Sequence, residues 1–217
     1  MRFMKALAGA ALAIWMTGCA ASMAYRADYV PDKPVADSDR IAGRVLVYTT
    51  QADDDRLVTA GATSFTGSGM QLTTPVGMMT REIALKVFEK VATEGADASH
   101  DLANAVRYSL VLRPQTEDFK HGFPQLKNLG FAITPEVQVT LRMTLLDKGG
   151  ATVQEKTYES GVVSGKSYMM SGKPVERVNK LAHEVIYDLM RRAAADVHVF
   201  QQAHGPTNAT TTNPPSS

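Results

Sequence analysis

The stretch that decides the fold is Glu136–Leu146, which reads EVQVTLRMTLL. Its apolar residues occupy every second position, and polar residues fill the positions between them. The apolar set is Val137, Val139, Leu141, Met143 and Leu145. Because successive side chains of a strand point to opposite faces of a sheet, this alternation predicts a β-strand with one face buried and the other in water. Strands of this kind are typical of antiparallel sheets.

The neighbouring segments predict partners for this strand. Residues 147–150 (DKGG) predict a turn, after which residues 152–163 return as the second arm of a hairpin. Upstream, residues 44–49 and 108–112 predict two shorter strands, and we expect the second of these to stop before Pro114. Residues 57–72, rich in Gly, Ser and Thr, predict a hairpin or an ordered loop.

Two segments have the spacing of amphipathic helices. The first follows Thr74-Pro75, and its apolar residues Val76, Met79, Ile83, Val87 and Val91 recur three or four positions apart. The second begins at Pro174 and continues to about residue 202 with a wide apolar stripe. The order strand, helix, three strands, helix predicts an α+β fold. We expect a two-layer sandwich with two long helices packed on one face of a mostly antiparallel sheet.

The amino-terminal segment, MRFMKALAGAALAIWMTGCA over residues 1–20, has the pattern of a signal peptide. Arg2 and Lys5 supply positive charge, and the apolar run at 6–16 is too short to span a bilayer in the mature protein. Cys19, the only cysteine of the chain, directly follows the small residue Gly18.

Met16-Thr17-Gly18-Cys19 resembles the lipobox of bacterial lipoproteins, although the family usually has leucine where this chain has Met16. The resemblance implies that the Cys19 sulfur receives a diacylglycerol, that the chain is cut before Cys19, and that the new amine is acylated. In that family an aspartate after the cysteine retains the protein at the inner membrane. Because Ala20 stands there, the resemblance favours the periplasmic face of the outer membrane.

Composition divides the chain into four parts. We expect a signal peptide at 1–18, a lipidated tether at 19–40, a single α+β domain at 41–202, and a disordered tail at 203–217. The tether is expected because 20–40 contains prolines and scattered charges without a period. The tail, which ends TNATTTNPPSS, has almost no apolar residue to bury.

The sequence argues against several classes of function. With 23 basic and 22 acidic residues the chain is nearly neutral, which predicts no nucleic-acid binding. Acylation of Cys19 would leave no thiol. No two of the five histidines stand two or four residues apart, so we expect no metal site and no cofactor. Ser164-Gly165-Lys166-Ser167 lacks the first glycine of a phosphate loop.

The sequence also offers no recognisable catalytic motif. It has no Gly-x-Ser-x-Gly elbow, and Ser68, which lies between two glycines, predicts only a turn. We therefore expect a protein that is not an enzyme.

The segment 115–135 is the candidate partner-binding site. It is long for a connection between strands and contains Phe119, Phe123 and Phe131. Met169 and Met170, in a second long connection, are adaptable apolar residues that suit the same role. The alternative is that these apolar side chains plug the edge of the sheet.

The phrase Ala132-Ile133-Thr134-Pro135-Glu136-Val137 before the long strand, together with the lipobox and the order of elements, resembles the YajG-type outer-membrane lipoproteins over roughly residues 41–199. The resemblance implies a non-enzymatic scaffold or accessory subunit in cell-envelope assembly or transport, anchored through Cys19 and docked on an envelope protein. The alternative is a periplasmic module that binds a lipid or glycan, and a third possibility is a hydrolase. Only Cys19 can be assigned a role from the resemblance.

Overall fold

The computed structural model describes residues 20–125, 132–169 and 173–205. The helices are α1 (Gln51–Asp54), α2 (Val76–Val91) and α3 (Pro174–His204). The strands are β1 (Ala20–Ser22), β2 (Val45–Tyr48), β3 (Val58–Gly61), β4 (Gln71–Thr74), β5 (Ala96–Ser99), β6 (Leu110–Gly122), β7 (Ala132–Ile133), β8 (Glu136–Leu146), β9 (Thr152–Glu159), β10 (Val163–Ser164) and β11 (Tyr168–Met169).

The main sheet is built around β8. Its strands lie in the order β5, β2, β6, β8, and both β9 and β10 pair with the far side of β8. The pairs of β8 with β6, β9 and β10 are antiparallel, whereas β2 pairs in parallel with β5 and β6. The β6–β8 ladder runs from Val111↔Leu146 to Gly122↔Glu136 and lies in the middle of the main sheet.

The two long helices pack side by side on one face of this sheet. Helix α2 contacts β2, β5 and β6, and α3 contacts α2 and β8. The inward residues of β8 predicted from the alternation are buried, with Val139 and Leu141 at 0% exposure. They pack into one core with Phe88 of α2 and Ile186 of α3. The α+β two-layer sandwich predicted from the sequence is therefore confirmed.

The opposite face of the sheet is only partly covered. A small apolar cluster of Leu46, Ala105, Val111 and Leu146 lies under the segment that leads into β6. Further along the strands, this face carries polar and charged side chains. Two smaller sheets complete the fold: β1, β4 and β3 form one, and β11 and β7 form the other.

The prediction that strand β6 stops before Pro114 is wrong. The strand continues through Pro114, which pairs with Met143, to Gly122. The last ladder pair of β6 with β2 is Val47↔Leu112, so at Pro114 the strand has a ladder on the β8 side alone. A proline without an N–H is tolerated in a strand that lacks a partner on one side. Residues 115–122 of the predicted connection are therefore strand.

Residues 20–40 differ from the tether that the sequence predicted. Strand β1 pairs in parallel with β4, and Met23 and Val30 are each only 5% exposed and belong to the main core. A segment without a helical or strand period still packs when single apolar residues reach gaps in the core. Cys19 and the predicted signal peptide lie outside the described residues. At the other end, residues 203 and 204 continue α3, and the rest of the predicted tail from residue 206 is also outside them.

Candidate functional site

The structure describes three of the five predicted partner-binding residues, and these three differ in their exposure to solvent. Phe131 and Met170, like the predicted lipidation residue Cys19, lie outside the described residues. Phe119 and Phe123 are each 2% exposed and belong to the main core. Met169 alone is on the surface, with 65% of the residue exposed.

The docking role expected for Phe119 and Phe123 is therefore corrected. Phe119 lies on β6 opposite Val139, on the face of the sheet that the helices cover. His121, 1% exposed, has its ring between those of Phe119 and Phe123, with centroids 6.4 and 5.7 Å away. Burial lowers the pKa of His121, so the imidazole is favoured in its neutral form. These rings plug the sheet, as the alternative interpretation of the segment predicted.

Strand β9 is the open edge of the main sheet. Within residues 20–125, 132–169 and 173–205 its backbone pairs with β8 alone, and every residue except Tyr158 is exposed. Tyr158 fixes the strand to the helical layer, because its hydroxyl donates to Asp196 of α3 over 2.8 Å and Lys156 binds the same carboxylate at 2.6 Å. These contacts attach β9 to α3, while the side of the strand that points away from β8 faces solvent.

Hydrogen bonding shows which backbone groups of β9 point outward. The N–H of Ser160, directly after the strand, donates to the Val139 carbonyl, so this pair faces β8. Because pairs alternate along an antiparallel ladder, the N–H groups of Glu159, Thr157 and Glu155 point away from β8. Consistently, the Glu159 carbonyl accepts from Arg192 rather than from β8. Apart from the Glu159 carbonyl, the outward backbone groups of β9 have no strand partner among the described residues and offer donors and acceptors to another strand.

The uncovered face of the sheet carries a polar network next to this edge. Asp53 of α1 accepts hydrogen bonds from Arg113 at 2.8 Å and Gln115 at 2.7 Å. Gln115 in turn accepts from Arg142 at 3.0 Å, and Arg142 lies 3.9 Å from Glu155 of β9. The network thus crosses β6, β8 and β9 and positions their side chains relative to each other.

Asp53 is the centre of this network and also the cap of a short helix. It forms a reciprocal capping box with Thr50 at the start of α1. Burial alone would raise the pKa of Asp53, but hydrogen bonds from Thr50, Gln115 and Arg113 outweigh it and hold the pKa below its ordinary value. The carboxylate is therefore ionised and pairs with the Arg113 guanidinium.

A second cluster surrounds Asp54. One oxygen of this buried carboxylate binds Arg81 at 2.5 Å and His100 Nε2 at 2.7 Å. A histidine beside a carboxylate is able to act as a general base. The hydroxyl nearest in sequence, that of Ser99, is instead engaged with the backbone of Asp101.

Ser68, the serine singled out above, lies in the turn between β3 and β4. The part of the chain that the structure describes brings no three His, Cys, Asp or Glu residues together in a way that could hold a metal ion.

The amino-terminal segment is held to α3 by His183. The Nε2 atom of His183 accepts from the Arg26 backbone N–H at 2.9 Å, and its Nδ1–H donates to the Asn179 carbonyl at 2.7 Å. The rings of Tyr25 and Tyr29 lie against the imidazole, each with its centroid 5.6 Å away. His183 is fully buried.

An open groove of about 740 Å³ lies between this segment and the start of α3. It is lined by Arg26 and Tyr29 on one side and by Lys173, Glu176 and Asn179 on the other. The groove is outside the sandwich, because the space between the helices and the sheet is filled by core side chains such as Phe88, Leu112 and Ile186.

The β9 edge and the polar network were not predicted from the sequence. The signal for the edge was the run Gln154-Glu155-Lys156-Thr157, whose polar residues on both faces indicate a strand without a covering layer. For Asp53 the signal was Thr50-x-x-Asp53, which has the spacing of a capping box. The contacts to β6 join residues about sixty positions apart, which no local pattern contains.

No protein-family model matches the sequence, and no curated protein matches it. Solved structures do resemble the fold. A hemagglutinin homolog from Helicobacter pylori, described as neuraminyllactose-binding, has a TM-score of 0.49 and 6% identity, over 81% of this chain and 96% of that one. Uncharacterized lipoprotein B from Nitrosomonas europaea has a TM-score of 0.42 and 11% identity, over 80% and 94%. A minor lipoprotein from Acinetobacter baumannii has a TM-score of 0.35 and 12% identity, over 73% and 93%.

Proposed function

We propose that this protein is a lipoprotein anchored through Cys19 to the periplasmic face of the outer membrane. It acts there without catalysis, as a scaffold or accessory subunit in envelope assembly or transport. It docks a partner protein by adding a strand of that partner to the open edge of β9. The proposal rests on the lipobox for the anchor and on the backbone geometry of β9 for the docking.

The amino-terminal geometry supports the anchor. Among the described residues no helix is long and apolar enough to cross a membrane. The first described strand begins at Ala20, one residue after Cys19, and the segment that follows is held to α3 by Arg26 and Asn179. An acyl group on Cys19 would therefore keep the folded domain close to the bilayer, with no slack chain between them.

The β9 edge is the single observation that supports docking. It offers alternating outward N–H and C=O groups along eight residues, and it is held rigid by the Asp196 contacts. Main-chain hydrogen bonds to such an edge supply affinity with little demand on side-chain identity. Because Phe119 and Phe123 are buried, they do not support a docking site in the segment 115–135.

A proline at Thr157 tests strand addition. Thr157→Pro removes an outward N–H and leaves the β8 ladder intact, because that N–H does not face β8. Capture of a partner in intact cells, through a photoreactive amino acid in place of Glu155, should fall by about tenfold or more. Thr157→Ala is the matched control, since it removes the side chain but keeps the N–H and should capture normally. Undiminished capture by a folded Thr157→Pro protein would contradict strand addition.

The groove beside α3 favours a second candidate, a module that binds a glycan. Its lining of Arg26, Tyr29, Lys173 and Glu176 offers charged groups, donors and an aromatic face, which suit a sugar better than an acyl chain. Tyr29→Ala should then reduce retention on immobilised envelope glycans and leave partner capture at β9 unchanged. Equal retention of the variant and the unmodified protein would remove this candidate.

A further inference from the structure

The first described residue lies beside the hairpin formed by β3 and β4. In the three-stranded sheet, Ala20 pairs with Gln71 of β4, and Gln71 pairs with Gly61 of β3. Neighbouring strands are about 4.8 Å apart, so Ala20 lies roughly 10 Å from the point where β3 ends. Residues 62–70, called the hairpin tip below, connect β3 to β4 at this same end of the sheet.

The hairpin tip presents one large apolar side chain to solvent. Phe65 is 97% exposed, the highest value among the large hydrophobic residues that the structure describes as exposed. No charged residue occurs between Arg56 and Arg81, nor between Ala20 and Tyr25. An exposed aromatic ring surrounded by uncharged chain is typical of a surface that enters a membrane interface.

Several polar groups of the hairpin tip form hydrogen bonds within the protein. Ser64 Oγ donates to the Thr66 carbonyl and accepts from the Phe123 N–H, at 2.7 and 2.6 Å. Thr66 Oγ1 bonds Gln125, and the Thr63 N–H donates to the His121 carbonyl at 2.8 Å. Because polar groups that already have partners lose less when water is withdrawn, the tip is suited to a partly dehydrated interface. These bonds also fix the tip against β6, so that Phe65 projects from a rigid base.

We propose that the hairpin tip is a second membrane contact, in which Phe65 inserts into the lipid interface next to the acylated Cys19. This inference rests on the proposed lipid anchor. Its occupant is the bilayer surface itself, because the residue before Ala20 is the one that carries the acyl chains. The two membrane contacts, at Cys19 and at Phe65, are set apart across the three-stranded sheet. Together they fix the orientation of the domain relative to the bilayer, whereas the acyl chains alone would leave the domain free to rotate.

A single tryptophan introduced at the hairpin tip can report on this membrane contact. Trp15 is the only tryptophan and lies in the signal peptide, so the processed protein has none. Phe65→Trp therefore gives a single reporter at the hairpin tip. Val106→Trp is the matched control: Val106 is 67% exposed and lies just before β6, at the opposite end of that 13-residue strand from Gly122.

The experiment uses the processed, acylated protein in vesicles of phosphatidylethanolamine and phosphatidylglycerol, with and without lipids brominated on their acyl chains. We expect the emission of the Phe65→Trp protein to shift to shorter wavelength and to lose most of its intensity with brominated lipid. The emission of the Val106→Trp protein should change little. Equal quenching of the two variants, or no quenching of Phe65→Trp, would overturn the inference and leave the anchor intact. Mass spectrometry of the same samples reports acylation of Cys19, and an unacylated Cys19 would overturn both the anchor and the inference.

Discussion

The backbone N–H of Arg26 donates a hydrogen bond to Nε2 of His183, 2.9 Å away, across 157 positions of sequence. The bond fixes the tautomer of the imidazole, because Nδ1–H is used by the Asn179 carbonyl. It requires neutral His183, since a protonated Nε2 is a donor and faces another donor. The attachment of the amino-terminal segment to α3 is therefore linked to pH.

His183→Gln should make the stability of the domain less dependent on pH. Burial lowers the pKa of His183 in the folded protein below the value of about 6.5 expected in the unfolded chain. Between the two values the unfolded state binds more protons, so stability is full above the unfolded pKa and falls as pH drops towards the folded one. Urea titrations at about pH 7.5 and about pH 5.5 should show a smaller loss in the variant than in the unmodified protein.

The comparison isolates His183 from other titrating groups. His121 has its pKa lowered by burial as well and contributes with the same sign, but it is present in both proteins and cancels in the difference. His204→Gln, at the exposed end of α3, is the control and should behave as the unmodified protein does. Equal loss of stability on acidification in the His183→Gln and unmodified proteins would contradict the linkage.

Leu141→Ala should cost far more stability than Thr140→Ala. Leu141 is fully buried under α3, so its truncation leaves a cavity worth about 2–5 kcal/mol in the free energy of unfolding. Thr140 lies on the other, partly exposed face, and its loss should cost under about 0.5 kcal/mol. Denaturant titration of both variants measures the difference, and similar losses would mean that the strand register is wrong.

Phe119→Ala should destabilise the domain rather than weaken docking. The ring is buried in the core, and removing such a ring costs about 3–5 kcal/mol. Phe65→Ala is the matched control, because its ring is 97% exposed and its loss should change the free energy of unfolding by less than about 0.5 kcal/mol. If Phe119→Ala kept full stability and lost partner capture, the buried assignment would fail.

Gly77→Ala should destabilise the contact between α1 and α2. A Cβ at Gly77 would stand only 1.8 Å from the Asp53 carbonyl oxygen, and backbone there cannot move without disturbing the capping box. Overpacking of this kind costs about 1–3 kcal/mol or more. Gly69→Ala is the control, since a Cβ there meets nothing within 4 Å. Thermal unfolding of both variants tests the contact, and equal melting temperatures would contradict it.

The elements that the sequence predicted well are those with a strong local period. The alternation in β8 and the apolar stripe that begins at Pro174 each use one face repeatedly, so the pattern contains the element and its orientation. The turn that begins at Asp147 and the helix after Pro75 follow from equally local signals.

The missed features depend on contacts that are distant in sequence. Pro114 is tolerated in β6 because the ladder with β2 ends at Leu112, which the sequence around Pro114 does not record. The segment 20–40 packs because His183 and Asn179 lie on a helix some 155 residues away. The open edge at β9 is likewise a property of the sheet order, and only the order shows which strand is left without a neighbour.

Acylation of Cys19 would place this domain at the membrane, and metabolic labelling with a clickable fatty acid measures that acylation in intact cells. We expect the unmodified protein to carry the label and to be processed to a shorter chain. Cys19→Ser should carry no label and stay at the precursor length, because the lipoprotein-specific peptidase needs the modified cysteine. Equal labelling of the two proteins, or labelling of neither, would contradict the lipid anchor and with it the placement of this domain at the membrane.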